Sequence, residues 1–152
     1  MISLKNVLCP IDHSDCSKEA LKYAVTLAMR DKAKLLLLHI IDIRSFSEGL
    51  EAMSKPLPDE ETLEQLRAKL LDCIPEEIRD DMDVEAIVAQ GIPFAEIIST
   101  AKEKKIDMIV IGSHGRTGLS HMMLGSVSEK VVRKAPCPVL TVRQPGHEFV
   151  MP

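Results

Sequence analysis

The sequence predicts a single α/β domain built around an open, parallel five-stranded sheet with helices on both faces. Strand-like and helix-like segments alternate along the whole chain, which implies parallel strands joined by crossover helices. Two near-continuous aliphatic runs, Leu35 to Ile41 and Met108 to Ile111, suit central strands buried on both faces. A length of 152 residues fits one such domain and leaves little room for a second.

The elements follow in order. Residues 4–9 (LKNVLC) read as the first strand. Ser14 or Asp15 then caps a helix whose inner face is Ala20, Leu21, Ala24, Val25 and Ala28, at helical spacing. Leu35 to Ile41 is the second strand. Asp59 caps a second helix carrying Leu63, Leu66, Leu70 and Ile74, limited by Pro75. Val84 to Ala89 alternates around Glu85 and suits a sheet edge. Pro93 opens a third helix with Phe94, Ile97, Ile98 and Ala101 on one face, and Lys102, Lys104 and Lys105 lie at its end, where the helix dipole favours cations. Met108 to Ile111 is the fourth strand, Val127 to Lys134 the fourth helix, and Val139 to Val142 the fifth strand, introduced by Pro136 and Pro138. Residues 1–144 form the domain and 145–152 a tail. Two stretches read as loops, Ile43 to Pro58 and Ser113 to Leu124.

Composition narrows the function. Aromatic residues are only 3% of the chain, so the core is aliphatic and stacking platforms for single-stranded nucleic acid are missing. The formal net charge of −4 argues against a large phosphate-backbone footprint. No apolar run is long enough to span a bilayer, and the amino terminus lacks a signal-peptide stretch, so the expectation is a cytoplasmic protein with no membrane partner. Cys9, Cys16, Cys73 and Cys137 are scattered, without metal or redox spacing, and read as free thiols.

The informative segment is IVIGSHGRTGLSHMMLGSVSEKVV, Ile109 to Val132. A strand ends in Gly112, a glycine-bearing loop with Gly115 follows, and Gly125 and Ser126 open a helix. Strand, glycine loop and helix start in that order make an anion site: glycine lets the backbone approach a phosphate, and the free amides of the first helical turn point at it. Neither the G-x-x-x-x-G-K-[ST] loop nor G-x-G-x-x-G is present.

The spacing instead matches G-x2-G-x9-G-[S/T]. With the PID of Pro10 to Asp12, the LLHIID of Leu37 to Asp42, IGSHGRTG at the fourth strand and PCPVLTV of Pro136 to Val142, the chain resembles the universal stress protein family, and its ATP-binding subgroup, from about Lys5 to Arg143. The resemblance implies a Rossmann-like sheet in the order 3-2-1-4-5, of the adenine nucleotide alpha hydrolase type. It places a ligand over the carboxyl ends of strands one and four. Pro10, Asp12 and Ile40 would border the adenosine, with Ile111 and Gly112 flanking base and ribose. His114, Gly115 and Arg116 would line the phosphate loop, and Gly125, Ser126 and Val127 would receive phosphates. The implied ligand is ATP, ADP or AMP, with Mg²⁺.

Other readings stay open beside these. Ser126 to Glu129 is also a capping box, so Ser126 can be a simple cap. Asp12 can be a turn residue, Arg116 a solvated charge, and His13 and His39 structural. His114 and His121 have no third metal ligand beside them in sequence. Met122, Met123 and Leu124 suit a lid or an interface patch. The function expected is an ATP-binding sensor in a stress response. The alternatives are a slow ATPase or nucleotidyl-transfer enzyme on the same fold, or a scaffold that the ligand merely stabilises. Strand five, apolar and at a sheet edge, suits pairing with a second copy of the chain.

Overall fold

The computed structural model describes residues 1–46, 58–114 and 124–146. Among them lie β1 (Asn6–Pro10), α1 (Asp15–Asp31), β2 (Lys34–Asp42), a 3-10 turn (Ile43–Phe46), α2 (Glu60–Leu71), α3 (Glu76–Arg79), β3 (Val84–Gly91), α4 (Pro93–Glu103), β4 (Met108–Gly112), α5 (Ser126–Lys134) and β5 (Val139–Val142). The strands pair in parallel throughout, in the order β3-β2-β1-β4-β5 expected from the family resemblance. No helix among the described residues is long and apolar enough to cross a membrane.

Side chains on a strand alternate between its two faces, and the two halves of the core follow that alternation. Val7, Cys9, Leu35, Leu37 and Val110 pack against Ala20, Leu21, Ala24 and Ala28 of α1 and Leu70 of α2. Leu8, Leu36, Leu38, Ile109 and Ile111 pack on the other face, against Ile97 and Ala101 of α4 and Val131 of α5. The alanine stripe on α1 is buried and small, so this helix lies close to the sheet. Burial pushes the Cys9 thiol pKa up, so it is a neutral core group.

Several boundaries differ from the sequence reading, each for a local reason. β1 begins at Asn6 rather than Leu4, because side-chain carboxylates satisfy the preceding backbone. The Leu4 amide donates to Asp31 Oδ2 at 2.9 Å, and the amides of Lys5 and Asn6 donate to Asp107 Oδ2 at 2.7 and 2.9 Å. Asp59 does cap α2, accepting from the Thr62 amide. The helix stops at Leu71, however, and the amides of Cys73 and Ile74 bond three residues back, to Leu70 and Leu71, in a tightened last turn. Ile74 is buried outside the helix, and Pro75 introduces the short α3, whose Glu76, Glu77 and Arg79 suit its two ends.

Glu85 sits on the edge strand β3 between two lysines. Lys34 Nζ lies 2.7 Å from Oε2 and Lys104 Nζ 3.3 Å from Oε1. The Lys34 hydrogen bond chiefly holds the Glu85 carboxyl pKa below its ordinary 4.5. A carboxylate with a depressed folded-state pKa stabilises the fold above its unfolded pKa, and loses that contribution as pH falls through the folded value. The group is partly exposed and screened by solvent, so Glu85→Gln should lose about 1 kcal/mol or less at neutral pH. Urea unfolding of both proteins at several pH values should show this gap closing below pH 4.5.

Candidate functional site

β1 lies between β2 and β4, and the helices that follow β1 and β4 pack on opposite faces of the sheet. The chain therefore parts above the carboxyl ends of β1 and β4, where open α/β sheets hold their ligands. A crevice of about 460 Å³ opens there, a volume in the range of small-molecule sites. Leu38, Ile40, Ile97, Ile111 and Val127 give it an apolar wall, and its polar groups come from three turns.

The first turn joins β1 to α1. Asp12 Oδ1 accepts from the Ser14 amide at 2.9 Å and from the Ser14 hydroxyl. Ser14 Oγ in turn accepts from the Ser17 amide, and so caps α1. The turn passes through His13, whose φ of 65° is left-handed and costs a non-glycine residue about 1 kcal/mol. The imidazole of His13 packs against that of His39 at 5.2 Å. His39 Nδ1–H donates to the Ile11 carbonyl at 2.8 Å, which orients the ring between β1 and β2.

The second turn leaves β4. A Cβ on Gly112 would lie 2.9 Å from the carbonyl carbon and the Cβ of Cys16, so only glycine lets the first turn of α1 rest on the end of β4. The Gly112 carbonyl accepts from the buried Ser128 hydroxyl at 2.7 Å, and the Ser113 carbonyl accepts from the Gly125 amide at 2.6 Å. Ser113 Oγ lies 3.0 Å from His114 Nδ1. These bonds aim the start of α5 into the crevice. Its N-cap is Gly125, with no side-chain cap, and its first helical backbone bond runs from the Glu129 amide to the Gly125 carbonyl. The amides of Ser126, Val127 and Ser128 thus have no partner within the helix.

The third turn ends β2. Arg44 donates through Nε to Asp42 Oδ1 at 3.0 Å and through a terminal nitrogen to Oδ2 at 2.8 Å, a two-point fork at the crevice rim. This fork chiefly holds the Asp42 carboxyl below the usual carboxylate range. Pro93 and Ile97 of α4 also line the crevice.

Of the residues singled out in the sequence, Pro10, Asp12, Ile40, Ile111, Gly112, His114, Gly125, Ser126 and Val127 all line this crevice. Gly115 and Arg116 fall outside the described residues, as do His121, Met122 and Met123. The capping box is corrected: Ser126 is the first helical residue, the cap is Gly125, and no side chain fills it. Sequence reasoning missed Ser17, Asp42, Arg44, Pro93 and Ser128. Arg44 follows LLHIID in a stretch that reads as loop, and only the fork to Asp42 marks it. His39, taken as structural, keeps its bond to Ile11 and also lines the crevice. Among the described residues, no three His, Cys, Asp or Glu side chains group as metal ligands.

Sheet order and crevice position define an open, doubly wound α/β domain of the Rossmann-like kind. The universal stress protein family model matches residues 3–143, and the chain belongs to that family. It is 36% identical over 148 residues to the universal stress protein MJ0531 of Methanocaldococcus jannaschii, covering 95% of this chain and 85% of that one. It is similar to the solved structure of MJ0577 from the same organism, with a TM-score of 0.76 at 32% identity, covering 95% of this chain and 99% of the other. A universal stress protein from Archaeoglobus fulgidus, solved in complex with dAMP, has a TM-score of 0.62 at 22% identity over 93% of this chain and 99% of that one, a likeness of fold.

Gly112 ties α1 to β4 by close approach. Gly112→Ala should therefore destabilise the domain by about 1–3 kcal/mol, the usual cost of forcing a methyl into packed backbone. Thermal unfolding beside Gly146→Ala is the check. Gly146 has no atom within 4 Å of such a Cβ, although its φ of +83° adds strain of its own.

Proposed function

We propose that the protein binds an adenine nucleotide, ATP, ADP or AMP, in this crevice and works as a nucleotide-responsive sensor in a stress response. The start of α5 carries the reading: an uncapped glycine N-cap, with three amides unpaired within the helix, faces an apolar crevice. Such a start favours negative charge through its amides and its dipole. The phosphates lie against Gly125, Ser126 and Val127, beside His114. The adenosine lies toward Pro10, Asp12 and Ile40, flanked by Ile111 and Gly112. Mg²⁺, accompanying the nucleotide, would offset the charge of its phosphates. Family membership and the dAMP held by a protein of the same fold support the choice of adenine.

Titration calorimetry should give a dissociation constant for ATP in the micromolar range, about 8 kcal/mol. Gly125 has φ −68° and ψ 161°, open to any residue, so Gly125→Val should keep the fold and lose affinity through blocked approach alone. Asp12→Ala should weaken adenosine as much as ATP. No saturable heat up to millimolar ATP with Mg²⁺ overturns the reading, and turnover of bound ATP would move the protein to the enzyme class.

The same reading makes the protein a homodimer joined along β5. The amide of Ile109 donates to the Pro138 carbonyl and that of Ser113 to the Val142 carbonyl, so these residues turn their backbone toward β4. By the two-residue period of a strand, Leu140 does the same, while Val139 and Thr141 point their amides outward. Thr141→Pro removes an outward donor and should shift the protein toward monomer in light scattering, with the fold retained. Leu140→Pro should instead detach β5 from β4. A wild-type monomer at micromolar concentration, or a dimer indifferent to Thr141→Pro, places the contact elsewhere.

A further inference from the structure

The nucleotide reading sets Ile111 and Gly112 beside the base on one side and names no partner for its other face. Among its described residues the crevice lining contains no Phe, Tyr or Trp. Phe94 is engaged elsewhere, with Lys130 Nζ 4.8 Å and Lys134 Nζ 5.3 Å from its ring centroid. The planar groups in the lining are the imidazoles of His39 and His114 and the guanidinium of Arg44. His114 follows β4, beside the start of α5 that is assigned to phosphates. The His39 ring is packed on His13 and bonded to the Ile11 carbonyl.

Arg44 stands at the other end. Leu36 of β2 and Ile109 of β4 both pair with Leu8 of β1, so Gly112 is level with His39, and the end of β2 at Asp42 stands beyond it, about 14 Å away across two strand spacings. Its guanidinium directs Nε and a terminal nitrogen at the Asp42 carboxylate, which fixes its plane and balances its charge. The Arg44 side chain is half exposed, and the fork to Asp42 matches its charge and engages the edge of the guanidinium, whereas stacking uses the face of the group. Gly91, at the end of β3, pairs with Asp42, and Pro93 and Ile97 of the α4 that follows add apolar surface to the lining.

We propose that Arg44, held flat by Asp42, is the platform on which the purine base stacks, and that it sets the preference of the site for purine over pyrimidine nucleotides. Asp42 is a positioning residue that acts through Arg44. The proposal rests on the nucleotide reading above.

The test is calorimetric titration of wild type, Arg44→Lys and Arg44→Gln with adenosine, AMP, ATP and CMP. Thermal melts establish that the variants fold. Arg44→Lys keeps the charge and Arg44→Gln the polarity, and neither carries the broad guanidinium plane at that reach; both should weaken adenosine, AMP and ATP by one common factor, about three- to tenfold, and CMP by less. Asp42→Asn should weaken adenosine in wild type and add nothing further in the Arg44→Lys background. Adenosine affinity unchanged in both Arg44 variants overturns the proposal, as does a loss confined to ATP, which would make Arg44 a phosphate contact. Additive losses for Asp42→Asn and Arg44→Lys overturn the positioning role of Asp42. A wild type that binds neither adenosine nor ATP fails the nucleotide reading itself, a result distinct from any of these.

Discussion

The contact between Gly112 and the first turn of α1 organises everything around the crevice. With no Cβ at this position, the Cys16 backbone rests on the last residue of β4, and the alanine stripe at positions 20, 24 and 28 continues the close approach down the helix. The same residue holds α5 from the other side, because its carbonyl accepts the buried Ser128 hydroxyl. One glycine thus fixes two helix starts, on opposite faces of the sheet, against one strand end. A larger residue here would displace α1, and the turn carrying Asp12 and Ser14 would move with it.

The two helix starts that meet there differ in chemistry. α1 carries a side-chain cap: Ser14 Oγ accepts from the Ser17 amide, and Asp12 in turn accepts from Ser14. α5 begins at a glycine with no side-chain cap. Its place is set by the Gly125 amide on the Ser113 carbonyl and by Ser128 on Gly112, bonds that leave the amides of Ser126 and Val127 to point into the crevice. The domain thus holds one helix start rigid through side chains and keeps the other as bare backbone.

Most of the architecture was legible because the signals were local and repeated. The alternation of Leu35 to Leu38, buried on both faces, and the helical spacing in α1 and α4 place the sheet and its layers without reference to the rest of the chain. Strand order came from the family resemblance, since periodicity says nothing about which strands are neighbours. Boundaries failed where a side chain far away decided them. Asp107 and Asp31 take the amides before β1, and a carboxylate from a distant turn has no local signature. At the crevice, glycines and the residues after strand ends were visible in the pattern. Arg44 and Ser128 were not, because each matters through a partner, Asp42 or the Gly112 carbonyl, that only the folded chain supplies.

The long reach of the Asp107 bonds bears on how the domain assembles. β1 pairs with β2, near in sequence, and with β4, while the Asp107 bonds span separations of 102 and 101 residues. Closing a loop of that size is among the entropically slower steps available to a small domain. A partly folded chain holding β1, β2 and β3 would have half a core and no crevice, since one wall arrives only with β4 and α5. Anything that settles in the crevice therefore binds the finished fold alone, and raises the cost of opening the domain by an amount that grows with the ratio of free ligand to its dissociation constant. Occupancy and global stability are in this way one equilibrium, read from two ends.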